Sequence, residues 1–190
     1  MILLKVLGFA TGAVCVWLVT KVGAESTGTT TYVRDLARAL ETEWVPEYGR
    51  EYSERKQAAG DEVWRSEEFF EIAREQTRME EQAARLANRI LICDTNAFAT
   101  CLWHRRYMGF DHEPLEEFAK GGRADLYLLT GNEIPFVQDG LRDGEHIRHE
   151  MHQWFEAALA RQHFPWMRIC CSAKERLNLA IKSIQELLLP

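Results

Sequence analysis

Apolar positions fall into two spacings that take turns along this chain. Continuous runs, rich in β-branched residues, occur at Val14-Cys15-Val16-Trp17-Leu18-Val19-Thr20-Lys21-Val22, at Ile90-Leu91-Ile92-Cys93-Asp94-Thr95, at Ala124-Asp125-Leu126-Tyr127-Leu128-Leu129-Thr130 and over 166–171. Runs of that kind are strands covered on both faces, as in a parallel sheet. Between them apolar residues recur at three and four. Val33, Leu36, Ala37 and Leu40 predict a helix over 32–41, and Phe69, Ile72, Ala73, Met79, Ala83 and Leu86, with Gln76 on the same stripe, predict one over 66–88. Ser66 is placed to cap that second helix, with Glu67 and Glu68 at the positive end of its dipole. Further helices are expected over 97–108, 115–120 (closed by Gly121-Gly122), 145–163 and, from a Ser172/Glu175 capping box, 172–189. Residues 42–48 read as a short extended segment, and Gln57 to Asp61 as a loop. Strand alternates with helix, so the fold class is α/β with a mostly parallel sheet of five strands between layers of helices.

The junction after the first run carries chemistry. Gly23-Ala24-Glu25-Ser26-Thr27-Gly28-Thr29-Thr30-Thr31 has the spacing of the phosphate loop G-x-x-x-x-G-K-[ST], between a strand and a helix. Backbone N–H groups in such a loop, with the helix N-terminus, cradle phosphate oxygens. Thr29 stands where the pattern has lysine. Thr30 takes the hydroxyl position that faces Mg²⁺, and Asp94, closing the second strong strand, is the expected acidic partner of that ion. The segment Gly131 to Gly144 has the length of a lid or binding loop.

Composition narrows the partners. A length of 190 residues suits one domain, and 23 basic against 29 acidic residues, a formal charge of −6, argues against a nucleic-acid surface. The five cysteines form no C-x-x-C pair, which fits a reducing, cytoplasmic setting. The six histidines make no zinc pattern. Charges such as Glu71, Glu75, Arg74, Arg78, Glu81 and Arg85 read as a solvated helix face. Residues 1–12 form a hydrophobic leader before a domain spanning 13–190. A membrane tether through 1–22 competes with the strand reading, which is preferred because the glycine loop needs a strand to anchor it.

Four blocks make the reading specific. Gly23 to Gly28, then Trp44-Val45-Pro46-Glu47-Tyr48-Gly49-Arg50-Glu51-Tyr52, then Ile92-Cys93-Asp94-Thr95, then Pro135-Phe136-Val137-Gln138-Asp139-Gly140-Leu141-Arg142 occur in the order found in the nicotinamide riboside kinase domain of NadR-type proteins. The chain resembles that family over roughly 13–185, nearly a whole P-loop kinase domain. The resemblance implies a three-layer P-loop NTPase fold and Mg²⁺-dependent phosphoryl transfer from ATP to the 5′-hydroxyl of nicotinamide riboside, giving nicotinamide mononucleotide. It implies that Gly23, Glu25, Ser26, Thr27, Gly28, Thr29, Thr30 and Thr31 hold the ATP phosphates and that Thr30 and Asp94 hold Mg²⁺. Glu47, Tyr48, Arg50 and Tyr52 then line the riboside side, and Asp139 and Arg142 lie in the lid, with Arg142 near the transferred phosphate. Glu47 or Asp94 orients the attacking hydroxyl or accepts its proton. Trp44, Tyr48 and Tyr52 are candidates for stacking on a pyridinium ring, with Trp44 better suited to core packing.

Two departures from the family are expected to matter. Thr29 replaces the usual lysine, leaving Arg142, and less plainly Arg105 and Arg106, as sources of positive charge; the latter two read as solvated helix charges. The adenylyltransferase and DNA-binding domains of full-length relatives have no counterpart, so the chain corresponds to the kinase part. The alternative reading is a catalytically weakened ATP-binding module that senses ATP or NAD precursors and acts through a partner.

Overall fold

A computed structural model describes residues 16–25, 29–133, 135–138, 144–162, 164–170 and 172–188. Its five strands are β1 (Trp17–Val22), β2 (Trp44–Val45), β3 (Ile90–Asp94), β4 (Leu126–Thr130) and β5 (Trp166–Ile169). Among the described residues seven helices, α1 (Thr29–Ala39), α2 (Tyr48–Ala58), α3 (Ser66–Ala84), α4 (Ala97–Met108), α5 (Glu113–Gly121), α6 (Arg148–Arg161) and α7 (Ala173–Leu188), connect and cover them. Every strand pair is parallel, in the order β2-β3-β1-β4-β5. The central strands are apolar on both sides because both sides are covered.

Side chains alternate across the sheet. Val19, Ile90, Ile92, Leu126 and Leu128 face one layer, where Val33 and Leu36 of α1 and Ala180 and Ile184 of α7 pack. Val22, Tyr127 and Leu129 face the other, against Phe98 and Leu102 of α4 and Met151, Phe155 and Leu159 of α6. Leu91 and Cys93 meet α3 through Met79 and Ala83. After β1 the chain builds β2 and β3 on one side of it and then crosses to build β4 and β5 on the other, so a crevice opens beyond the carboxyl ends of β3, β1 and β4.

Several elements differ from the sequence expectation. Residues 48–58, of which the first was placed at the end of an extended segment, form α2; Tyr48 and Lys56 are its buried residues, too few to print an apolar stripe in the sequence. α3 is capped by Arg65, whose backbone N–H donates to Glu68 Oε2 at 2.7 Å, and not by Ser66. Ser66 Oγ is instead 2.9 Å from His104 Nε2, so the hydroxyl is spent on α4. The Ser172/Glu175 box does open α7, with the Ser172 N–H and Oγ both directed at Glu175 Oε2. Residues 1–15, and with them the leader and the start of the first run, lie outside the described residues.

Candidate active site

The floor of the crevice is set by strand register. Lys21 of β1 lies opposite Asp94 of β3. Both continue the face of the sheet that α1 covers, so their side chains meet beneath the first turn of that helix. Lys21 Nζ sits 3.1 Å from Asp94 Oδ1, with side-chain exposures of 6% and 0%. Thr30 Oγ1 donates to the other carboxylate oxygen at 2.9 Å. The α1 first turn carries no acidic residue, which leaves its positive end available to an anion.

Behind this floor the backbone is tightly held. Thr95 adopts a left-handed conformation (φ 85°), costly for a β-branched residue, and its N–H donates to Lys21 O at 2.9 Å. Asn96 caps α4 by accepting from Ala99 N, while its amide donates to Tyr127 Oη at 3.0 Å and to Gly122 O at 3.1 Å. Gly23 packs so closely on β4 that a Cβ there would stand 2.3 Å from Thr130 Oγ1.

Glu25 fastens the loop to its surroundings. Its carboxylate accepts from Arg106 Nη1 at 2.8 Å and from the Gly144 N–H at 2.9 Å. Arg106 is therefore no solvated helix charge: its side chain is 5% exposed and its guanidinium lies over the rings of Tyr107 (4.7 Å) and Trp103 (5.4 Å). Arg105, one residue earlier, is exposed, 3.8 Å from Asp111 and over the Trp154 ring at 5.1 Å.

One wall of the crevice is aromatic. Glu47, Gly49, Arg50 and Ser53 from the β2–α2 region line it together with Trp64, Phe69, Trp103 and Tyr107. Trp64 holds the wall together, its ring centroid 5.0 Å from Phe69 and 5.3 Å from Tyr107. Lys56, also buried, sits 5.3 Å from the Trp64 ring and bonds Asp61 and Glu68 at 2.8 Å each, which fixes the segment that carries the tryptophan. Burial, then the negative charge of Asp94, pushes the Glu47 carboxyl up to about 7.

Of the residues predicted from sequence, Gly23, Glu25, Thr30, Glu47 and Arg50 line one crevice, with Asp94 at its floor. Thr31 is exposed on α1. Tyr48 and Tyr52 are absent from the lining. Tyr48 is buried, donating its N–H to Gln76 Oε1 at 2.9 Å, and Tyr52 stacks on Trp64 at 6.1 Å from behind. Trp44 packs on the core, as expected. Ser26, Thr27, Gly28, Asp139 and Arg142 lie outside the described residues, as does the Thr29 side chain. Sequence reasoning passed over Lys21, Trp64, Trp103 and Tyr107. Among the described residues no cluster of three His, Cys, Asp or Glu could hold a metal, and no helix is long and apolar enough to cross a membrane. A site with one carboxylate and one hydroxyl still fits Mg²⁺, which takes most of its ligands from phosphates and water.

Comparison with known proteins agrees with this architecture. A family model described as an AAA domain matches residues 18–176. The trifunctional NAD biosynthesis/regulator protein NadR of Escherichia coli (strain K12) is 32% identical over 121 residues, covering 63% of this chain and 29% of that protein. A crystal structure of NadR protein in complex with NR superposes with a TM-score of 0.73 at 26% identity, over 90% of this chain and 51% of that one. Thymidylate kinase from Ehrlichia chaffeensis, at 15% identity, shares the fold: TM-score 0.65, over 89% of this chain and 98% of that one. The chain thus spans less than a third of its curated relative.

Proposed function

The chain belongs to the AAA domain family, and on that premise we propose that it is a small-molecule kinase, transferring a phosphoryl group from ATP to the 5′-hydroxyl of nicotinamide riboside. The observation that carries the reading is the composition of a single crevice: Thr30, with Asp94 bonded beneath it, Glu47 and an aromatic wall share one lining. Likeness to a NadR structure in complex with NR, and to another in complex with NAD and AMP-PNP, supports it.

The loop Gly23 to Thr31 and the N-terminus of α1 would bind the ATP phosphates through backbone N–H groups. Thr30 and Asp94 would hold Mg²⁺, which would neutralise charge on the phosphates. Trp64, Trp103 and Tyr107 offer flat π faces to a pyridinium cation. Glu47, held near neutrality, is suited to take the proton of the attacking hydroxyl. Arg50 lines the same crevice and would fix the ribose, while Asp139 and Arg142 would close as a lid over the transferred phosphate. Such an enzyme would work in a cytoplasmic setting.

Thr29 favours a second reading, an ATP-binding sensor. One assay separates the two. The wild type is expected to form nicotinamide mononucleotide from nicotinamide riboside and ATP with Mg²⁺, while Asp94→Asn abolishes turnover and Trp64→Ala raises the KM for riboside without changing that for ATP. ATP binding with no transfer to any riboside overturns the kinase reading in favour of the sensor.

A further inference from the structure

The phosphate-loop sequence lacks its lysine, yet an ammonium group stands beneath the first turn of α1. Lys21 is reached neither from the loop nor from the lid but from β1, two residues before Gly23. Its side chain lines the same crevice as Gly23, Ala24, Glu25 and Thr30. Nζ and the Thr30 hydroxyl occupy the two oxygens of one Asp94 carboxylate, so the ammonium lies within that carboxylate's span of the residue next to Thr29.

The placement is electrostatically odd for a structural lysine. Withdrawing an ammonium from water costs several kcal/mol, as an order of magnitude, and its alkyl stem could have been replaced by leucine at a buried strand position. It also lies beneath the positive end of α1, where a cation is repelled unless an anion is present. Asp94 supplies one anion. A polyphosphate bound above the same helix end would supply a second.

We propose that Lys21 supplies, from beneath the first turn of α1, the phosphate-binding cation missing at Thr29. Nucleotide binding draws Nζ from Asp94 onto the phosphate chain, which the flexible four-carbon stem of lysine permits. The exchange also releases an Asp94 oxygen for Mg²⁺. This rests on the phosphate-loop reading of Gly23 to Thr31, and the test separates the two.

The test is equilibrium binding of ATP and of AMP, by calorimetry, in EDTA and again with Mg²⁺. Lys21→Met should weaken ATP in EDTA by about 10- to 100-fold, the worth of a hydrogen bond to a charged group, and leave AMP within about twofold. Adding Thr29→Lys to Lys21→Met should restore ATP affinity, because the cation returns by the usual route. Should Lys21→Met alone fail to fold with Asp94 orphaned, Lys21→Met/Asp94→Asn removes both charges, and Thr29→Lys is expected to restore ATP binding on that background. Equal loss of ATP and AMP, unchanged ATP affinity, or no rescue by Thr29→Lys overturns the assignment while the kinase reading stands. A wild type that binds no ATP in either buffer overturns both.

Discussion

Replacing Glu47 by glutamine keeps the shape of the side chain and removes its titration, so it isolates what the crevice does to that carboxyl. In the folded chain burial and Asp94 hold Glu47 at about 7, against 4.5 in water. A carboxyl whose folded value is raised contributes its full stability below its unfolded value of 4.5 and loses it as pH climbs through about 7. The difference converts to about 3 kcal/mol that the wild type has lost by about pH 8.5. Glutamine carries no such loss. For a chain of this size about 3 kcal/mol corresponds to roughly 6–12 °C in melting temperature. Thermal melts should therefore show Glu47→Gln more stable than wild type by about that amount at about pH 8.5, with the gain shrinking to below about 1 kcal/mol at about pH 5. The same substitution should lower kcat by about 10²–10⁴-fold if Glu47 is the base, and kcat/KM of the wild type should rise with pH to a plateau above about 7. A stability gain of equal size at both pH values refutes the raised carboxyl, and a glutamine variant of unaltered activity refutes the base.

Arg106→Ala takes the guanidinium from the largely buried Glu25 carboxylate and from two ring faces; urea midpoints should report a loss of about 3 kcal/mol. Arg106→Lys should recover only part, since lysine neither stacks nor forks. Gly23→Ala drives a Cβ into Thr130 Oγ1 at 2.3 Å, so it should cost about 1–3 kcal/mol and abolish ATP binding. Thr130→Ala should rescue the fold of that variant in a double-mutant cycle, measured by thermal denaturation.

How far the sequence reveals the molecule depends on whether the signal is local. β3 and α4 could be read almost to the residue, because a buried parallel strand is uniformly apolar and Asn96 and Gly109 mark the ends of α4. α2 could not, because its surface is charged nearly all round and its one buried cation, Lys56, looks like any other lysine in the sequence. The pairing of Lys21 with Asp94 was invisible for a different reason: it depends on the register of two strands 73 residues apart. Arg105 and Arg106 look alike in sequence, yet about 100° of helix rotation sends one to solvent and the other to Glu25. Trp64 sits in a polar connection, so nothing near it announces the aromatic wall. The glycine loop and Thr30 were legible because their spacing is itself the signal, whereas Glu47 and Arg50 came only with the resemblance to the NadR-type kinase domain.

Arg106 touches two parts of the crevice at once, gripping Glu25 of the glycine loop while lying across Trp103 and Tyr107 of the aromatic wall. A ligand that settles against either part therefore orders a group the other part also uses. Linkage makes that effect mutual: whatever factor ATP adds to the affinity for an acceptor, the acceptor must add to the affinity for ATP. On the kinase reading, ATP and the acceptor should then bind synergistically, and Arg106→Ala should leave each to bind as if the other were absent.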